Sequence, residues 1–170
     1  MEAVSGRARR THVADIMTPQ PVVLAEHESV HHAGMVLLRE GISAAPVVDR
    51  DGSLVGVFSH SDVLARFAAP RDRRGRLARL DNRQAQAVTV GEACTRPAVT
   101  ISPAATVDTA ARELLDQDIG RLVVVEHGEI VGILSRSDVL KLYLPAWSVG
   151  DTRVRPVTDA GSTLSRMGPG

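Results

Sequence analysis

The chain contains the same stretch of sequence twice. Residues 52–64, GSLVGVFSHSDVL, recur 76 positions later as GEIVGILSRSDVL at 128–140, and eight of the thirteen aligned residues are identical. The similarity continues upstream at an offset of 77, where Val13-Ala14-Asp15 aligns with Val90-Gly91-Glu92, Ser29 with Thr106, and Gly41 with Asp118. A self-match over so much of a 170-residue chain predicts two copies of one structural unit.

Each copy has the pattern strand, helix, strand, strand, helix. In the first copy, Ser29 is a typical N-cap, and Gly41 stands where a helix end favours a residue with positive φ. The run Asp49 to Gly52 is a hairpin turn signal between two apolar strands. The predicted elements are strand 22–24, the helix after Ser29, strands 45–48 and 54–58 and helix 60–68, then strand 99–101, a Thr106-capped helix to 117, strands 122–125 and 130–134, and a helix to 144.

These elements predict an α/β (α+β) fold of two β-α-β-β-α repeats packed with pseudo-twofold symmetry. A unit of about 55 to 60 residues is marginal alone, so the two copies are expected to pack sheet against sheet, with clefts where they meet. The predicted organisation is an N-terminal extension (1–12), repeat 1 (13–69), an Arg-rich linker (70–88), repeat 2 (89–145) and a flexible tail (146–170).

Composition excludes several classes of function. Twenty basic and twenty acidic residues cancel and aromatic residues make up only 2%, which argues against nucleic acid as a partner. One cysteine, Cys94, rules out an internal disulfide and a Cys-based zinc site, and its alignment with Met17 predicts a small core residue. No apolar run reaches membrane-spanning length and no secretory signal is present, so a cytoplasmic location without membrane contact is expected.

Catalytic and metal motifs are missing from the sequence. No nucleophile elbow or phosphate-binding loop occurs, so the chain is expected not to be an enzyme. His27, His31 and His32 cluster around the start of the first helix, but no matching acidic or sulfur ligand for a metal lies nearby in sequence, and they are interpreted as exposed helix histidines. The arginines of the linker are interpreted as a solvated charge run, with contact to a bound phosphate as the alternative.

The doubled pattern, with GISAAPVVD in the middle of the first copy and GVFSHSD near its end, resembles the CBS-domain family, and Asp15-Ile16-Met17-Thr18-Pro19 is similar to that family's opening segment. The resemblance covers about 13–143. It implies a regulatory tandem pair, or Bateman module, whose central cleft holds an adenosine ligand such as AMP, ADP, ATP, S-adenosylmethionine or a cyclic dinucleotide. It also implies that Asp62 and Asp138, each in a Ser-x-x-Asp turn, accept from the ribose hydroxyls.

The chemistry of these residues is compatible with that role. A carboxylate can accept from both ribose hydroxyls, and Ser59 and Ser135 stand at helix N-termini, which favour phosphate. Arg121 and Arg136, with His60 as a weaker candidate, are the predicted phosphate contacts, and Arg121 is expected to make the second site the stronger of two unequal sites. The residues predicted to enclose the adenine are Val22, Val23, Ala45 and Val47 in one half and Val99, Ile101, Leu122 and Val124 in the other; Thr18 and Thr100 complete the predicted site.

Two alternatives stay open at this point. Ser-x-x-Asp is also a helix-capping sequence that needs no ligand, and the arginines are equally well explained as surface residues. The leading hypothesis is an adenine-nucleotide sensor that acts through conformation or assembly. The alternative is a ligand-free module for dimerisation or protein interaction. A homodimer and an unidentified regulated protein are expected partners in both.

Overall fold

A computed structural model describes residues 10–67 and 88–144 of the chain. The first repeat contains a 3-10 helix (Val13–Asp15), β1 (Thr18–Pro19), β2 (Leu24–Ala25), α1 (Val30–Arg39), β3 (Ala44–Val48), β4 (Leu54–Ser59) and α2 (His60–Phe67). The second contains α3 (Val90–Ala93), β5 (Thr100–Ile101), α4 (Val107–Asp116), β6 (Arg121–Glu126), β7 (Glu129–Ser135) and α5 (Arg136–Tyr143). The predicted order β-α-β-β-α is therefore confirmed in both copies. The linker arginines and the tail with Trp147 lie outside the described residues.

Local signals place the helix ends as the sequence predicts. The Ser29 hydroxyl accepts from the His32 amide at 3.2 Å, and the Thr106 hydroxyl accepts from the Thr109 amide at the same distance. Gly41, just after α1, has a φ of 64°. The equivalent residue after α4, Asp118, has a φ of 49°, a conformation that aspartate tolerates better than most residues.

The strands form two sheets. The first has the order β2-β3-β4, and the second has the order β1-β7-β6-β5. In each repeat the two long strands form an antiparallel hairpin, and the short strand before the helix runs parallel to its neighbour. The first hairpin is closed by Asp49, whose side-chain oxygen accepts from the amides of Asp51 and Ser53 at 2.9 Å. The predicted turn at 49–52 is thus confirmed.

The opening segment of each repeat packs against the other repeat. Strand β1 pairs with β7 of the second repeat, and Val13 is fully buried in the second repeat's core. In the reciprocal direction Thr95 bridges to Val57 of β4, and Val90 is fully buried in the first repeat's core. Residues that begin one copy in sequence therefore complete the other copy in space, which sequence similarity alone did not indicate.

Two apolar cores result, one under the helices of each sheet. The first contains Leu24, Leu37 and Phe58 among its buried members, and the second contains Leu114, Leu122 and Leu134. Ala44 and Val123 are also buried, although they belong to neither core. Since alternate residues of a strand face opposite sides, the faces of β3 and β6 away from the helices are covered as well.

Candidate functional site

Both Ser-x-x-Asp turns lie where a long strand ends and a helix begins. The Ser59 amide and hydroxyl both donate to Oδ2 of Asp62, at 2.7 and 2.6 Å. Ser135 makes the same two bonds to Oδ2 of Asp138, at 3.0 and 2.6 Å. The Ser135 hydroxyl also accepts from the Asp138 amide at 3.3 Å, which confirms the capping interpretation for the second turn. In both turns the two serine bonds occupy both lone-pair positions of one carboxylate oxygen and leave Oδ1 outside the turn.

The two aspartates differ at that second oxygen. Oδ1 of Asp138 accepts from the Lys141 ammonium at 3.1 Å, whereas the first repeat has Ala65 at the position equivalent to Lys141. Burial raises the pKa of Asp138, but the hydrogen bonds from Ser135 and the charge of Lys141 outweigh burial and bring the pKa below its ordinary value. Asp138 is consequently a carboxylate held in its ionised form.

Arg121, the first residue of β6, connects the two repeats. It pairs with Ser135 in the ladder between β6 and β7, and its guanidinium donates to the hydroxyl of Ser43 in the first repeat. Burial lowers the pKa of Arg121, while the charge of Asp138 acts in the opposite direction. A half-buried cation with one neutral partner from the other repeat is well placed to take an anion.

A groove of about 230 Å³ lies beside Arg121, between the two repeats. Of the residues predicted for a ligand, Ser59, Arg121 and Val99 line it. The full lining is Val57, Ser59, Thr95, Pro97, Ala98, Val99, Asp118, Ile119, Gly120 and Arg121. The sequence did not predict that the segments 95–98 and 118–120 line a binding groove. The only signal for the second segment was the alignment of Gly41-Ile42 with Asp118-Ile119, in which Gly41 was interpreted as a helix end.

Four predicted adenine contacts belong to the cores instead. Ala45, Val47, Leu122 and Val124 are 0–1% exposed and pack in the clusters beneath the helices. The prediction that these side chains enclose a base is therefore corrected. Strands β3 and β6 are apolar on both faces, so the sequence did not show which alternate set faces the helices. Val23, by contrast, is 40% exposed, and Thr18 and Thr100 are exposed on the short strands β1 and β5.

His60 and Arg136 lie apart from the groove. Each sits in a shallow apolar depression on the outside of its repeat, and each depression is lined by two helices. Arg136 donates to the Leu114 carbonyl and to the Asp118 carboxylate at 3.2 and 3.0 Å, so its charge already has an internal partner. Neither residue lines the groove with Arg121, and the interpretation of Arg136 and His60 as the second and the weaker candidate for a phosphate contact stays a prediction.

Each depression lies between the two helices of one repeat. The α1/α2 face consists of Val30, His31, Gly34, Met35, Leu38, His60, Val63 and Leu64. The α4/α5 face consists of Ala111, Leu114, Leu115, Arg136, Val139, Leu140 and Tyr143. Exposed leucines dominate both, since Leu38 is 68% exposed, Leu64 64%, Leu115 71% and Leu140 53%.

Two other features of the described residues bear on function. Within residues 10–67 and 88–144 no group of three or more histidine, cysteine or acidic side chains is arranged to hold a metal ion. In the same ranges no helix is both long enough and apolar enough to cross a membrane. Cys94 packs against the first repeat's core, as its alignment with Met17 predicts.

Comparison with known proteins identifies the family. The sequence profile of the CBS domain matches residues 13–69 and 90–145, and the chain belongs to the CBS-domain family, as a tandem pair. Its structure is similar to that of CBSX2 from Arabidopsis thaliana in complex with AMP, with 30% identity, a TM-score of 0.61 and coverage of 77% of this chain and 94% of the other.

Two further relatives show the range of proteins that contain such a pair. The CBS domain pair of protein MJ0100, solved with 5'-methylthioadenosine and S-adenosyl-L-methionine, is 25% identical, with a TM-score of 0.64 and coverage of 78% of this chain and 95% of the other. The A-adding tRNA nucleotidyltransferase of Aquifex aeolicus is 36% identical over 130 residues. That match covers 76% of this chain but only 14% of the enzyme.

Proposed function

We propose that this CBS pair is a regulatory module that binds an adenine nucleotide in the groove beside Arg121. The observation that carries the proposal is the groove itself, which both repeats line and which contains a half-buried guanidinium at one end. Its volume of about 230 Å³ is close to the lower end of the range for small-molecule sites, about 300 Å³, which favours a mononucleotide over a dinucleotide. Solved CBS pairs with AMP and with S-adenosyl-L-methionine support an adenosine ligand.

Arg121 is the proposed phosphate contact. Its bond to the neutral Ser43 hydroxyl is weaker than a bond to phosphate, because an anionic acceptor adds Coulombic attraction and can accept two parallel N–H groups of the guanidinium. A phosphate can therefore replace Ser43 as the partner of Arg121. The exchange breaks the Arg121–Ser43 hydrogen bond between the repeats, and the bound ligand then connects them instead. A ligand that binds the two arrangements with different affinity shifts the equilibrium between them.

The Oδ1 atoms of Asp62 and Asp138 are proposed to accept from ribose hydroxyls, since Oδ2 is committed to the turn in each case. Neither aspartate lines the groove itself, but Asp62 is bonded to Ser59, which does. Oδ1 of Asp62 has no partner among the described residues, whereas Lys141 already occupies one position on Oδ1 of Asp138. The two aspartates are therefore unequal candidates for the ribose: Asp62 is bonded to the groove residue Ser59, whereas Asp138 shares its Oδ1 with Lys141.

Calorimetric titration of the full chain with AMP and with adenosine tests this proposal. We expect Arg121→Ala to weaken AMP binding by roughly ten- to a hundredfold and to leave adenosine binding nearly unchanged, because only the phosphate contact is lost. Arg112→Ala is the matched control, since Arg112 is an exposed arginine paired with Asp108 outside the groove. Ser43→Ala removes the link between the repeats but keeps the guanidinium, so it should not weaken AMP binding.

Failure of the proposal has a clear signature. If AMP, ADP, ATP and S-adenosylmethionine all give no heat of binding at millimolar concentration, the proposal that the chain binds a nucleotide is wrong. If Arg121→Ala weakened the binding of AMP and of adenosine equally, Arg121 would have a structural role only.

A second candidate function, self-association, is favoured by the two outer faces. A chain of this size rarely leaves two separate sets of exposed leucines uncovered, and such patches mark interaction sites. We propose that these faces join two copies of the chain into a homodimer, which an unidentified regulated protein would recognise in its nucleotide-dependent form.

A further inference from the structure

The lining of the groove contains a carboxylate as well as a guanidinium. Asp118 and Arg121 both line it, and they lie at the two ends of the short connection from α4 to β6. The repeat alignment places Gly41 and Ala44 at the equivalent positions, so both charges are specific to the second repeat. An acidic residue near a proposed phosphate contact opposes binding, because it repels the anion that the arginine attracts.

The end of helix α4 does not require this carboxylate. Asp118 has a φ of 49°, and its equivalent Gly41 has a φ of 64°. A residue other than glycine costs free energy in this conformation, although aspartate tolerates it better than most. Since glycine ends the equivalent helix of the first repeat without that cost, the helix end alone does not explain the acidic side chain.

The counter-ion of Asp118 lies outside the groove. Oδ1 of Asp118 accepts from Arg136 at 3.0 Å, and Arg136 belongs to the α4/α5 face and not to the lining of the groove. The Asp118 side chain is 97% exposed, so water and salt weaken this ion pair and the carboxylate is neutralised only in part. A ligand in the groove therefore meets one cation, Arg121, and one carboxylate that retains much of its charge.

From this pair of charges we infer that Asp118 is a specificity-determining residue, which makes the groove select AMP over ADP and ATP. The inference rests on the proposed nucleotide function. Arg121 can neutralise one phosphate group, and each further phosphate adds negative charge to a groove whose other charged lining residue is Asp118. AMP therefore gains the attraction of Arg121 with less repulsion from Asp118 than ATP experiences.

Calorimetric titration of the full chain with AMP and with ATP tests the inference through the ratio of the ATP Kd to the AMP Kd. The buffer contains no divalent cations, because they would offset the charge of ATP. We expect Asp118→Asn to lower the ratio by roughly fivefold, since asparagine keeps the shape and tolerates positive φ but has no charge. Asp118→Gly, which restores the residue of the first repeat, should lower the ratio in the same direction.

Two further variants separate the charge of Asp118 from other effects. Asp116→Asn is the matched control, because it removes the same charge from an exposed carboxylate outside the groove and should leave the ratio unchanged. Arg136→Gln should raise the ratio, because Asp118 loses the cation that partly neutralises it. At about 1 M salt, where charges are screened beyond about 3 Å, the difference between Asp118→Asn and the wild type should largely disappear.

The possible failures are distinguishable. If the wild type binds AMP but binds ATP equally well, or if Asp118→Asn changes the ratio no more than Asp116→Asn, the inference is wrong and the nucleotide proposal stands. An effect of Asp118→Asn that persists in high salt would have its cause in shape and would also overturn the inference. A wild type that binds neither nucleotide overturns the nucleotide proposal and the inference together.

Discussion

Each aspartate of the two Ser-x-x-Asp turns commits one carboxylate oxygen to the turn and leaves the other outside it. At Asp138 the turn supplies a backbone and a hydroxyl donor, and Lys141 adds a third contact. The capping and binding interpretations of the sequence are thus compatible, because they concern different atoms of one carboxylate. Since both interpretations require the same residues, the sequence could not distinguish them.

The ionised state of Asp138 should be visible in the pH dependence of stability. The Ser135 hydrogen bonds and Lys141 overcome the effect of burial and lower the pKa of Asp138 below its unfolded value, so the carboxylate stabilises the fold above about pH 4. This contribution disappears as the pH falls through the folded-state pKa. We expect Asp138→Asn to lower the free energy of unfolding by about 1 kcal/mol at pH 7 and by less at pH 3, measured by urea denaturation.

The control for this measurement is Asp116→Asn, which changes an exposed carboxylate without a partner in the described ranges. It should alter stability little at either pH. If the deficit of Asp138→Asn were as large at pH 3 as at pH 7, its cause would be packing and not charge.

At the scale of the elements, β4 and β7 each pack against the opening segment of the other repeat so closely that one position in each strand has no room for a side chain. A Cβ added at Gly56 in β4 would lie 2.7 Å from the Thr95 carbonyl oxygen and 2.8 Å from Sγ of Cys94. A Cβ added at Gly132 in β7 would collide with Sδ of Met17. The two glycines are equivalent in the repeat, and both pairs, Met17–Gly132 and Cys94–Gly56, join one repeat to the other.

Alanine at either glycine should therefore destabilise the fold. We expect Gly56→Ala and Gly132→Ala each to lower the free energy of unfolding by about 1–3 kcal/mol, because a backbone carbonyl near each site cannot move as a side-chain end can. Gly120→Ala, where an added Cβ would meet nothing within 4 Å, is the matched control and should change stability by less than about 0.5 kcal/mol. Urea denaturation of the three variants gives the comparison, and equal effects at all three positions would contradict the packing argument.

The sequence predicted most elements because their signals are local. Ser29, Thr106 and Gly41 stand at helix ends as expected, and the turn after β3 is closed by Asp49. When both faces of a strand are apolar, the local sequence does not show which face packs under the helices. For this reason Ala45 and Leu122 were predicted in the cleft and are found in the cores. Arg121 was predicted as a candidate phosphate contact because it replaces Ala44 in the repeat alignment. Its partner Ser43 could not be predicted, because Ser43 lies in the other repeat.

At the scale of the whole molecule, the exchange of opening segments makes each repeat depend on the other. The backbone amide of Val13 donates to the Ala105 carbonyl of the second repeat at 2.8 Å. In the same way, the amide of Val90 donates to the Glu28 carbonyl of the first repeat at 2.8 Å. The alignment of Val13 with Val90 reveals that the two residues are equivalent, but an apolar residue in that position suits either core equally well. Only the three-dimensional arrangement determines which core each one enters.

Because each core contains a residue from the other copy, the chain should unfold as one unit. We expect Val13→Ala and Val90→Ala each to cost about 2 kcal/mol, since both side chains are fully buried, and each variant to keep a single transition with coincident midpoints by fluorescence and circular dichroism. Native-state hydrogen exchange adds a spatial readout, in which Val13→Ala should raise opening in β6 and β7 at least as much as in β3 and β4. Two separate transitions, or faster exchange confined to β3 and β4 in Val13→Ala, would mean that each repeat is stable without the segment it receives. The proposed nucleotide, bound between repeats coupled in this way, would stabilise both repeats together.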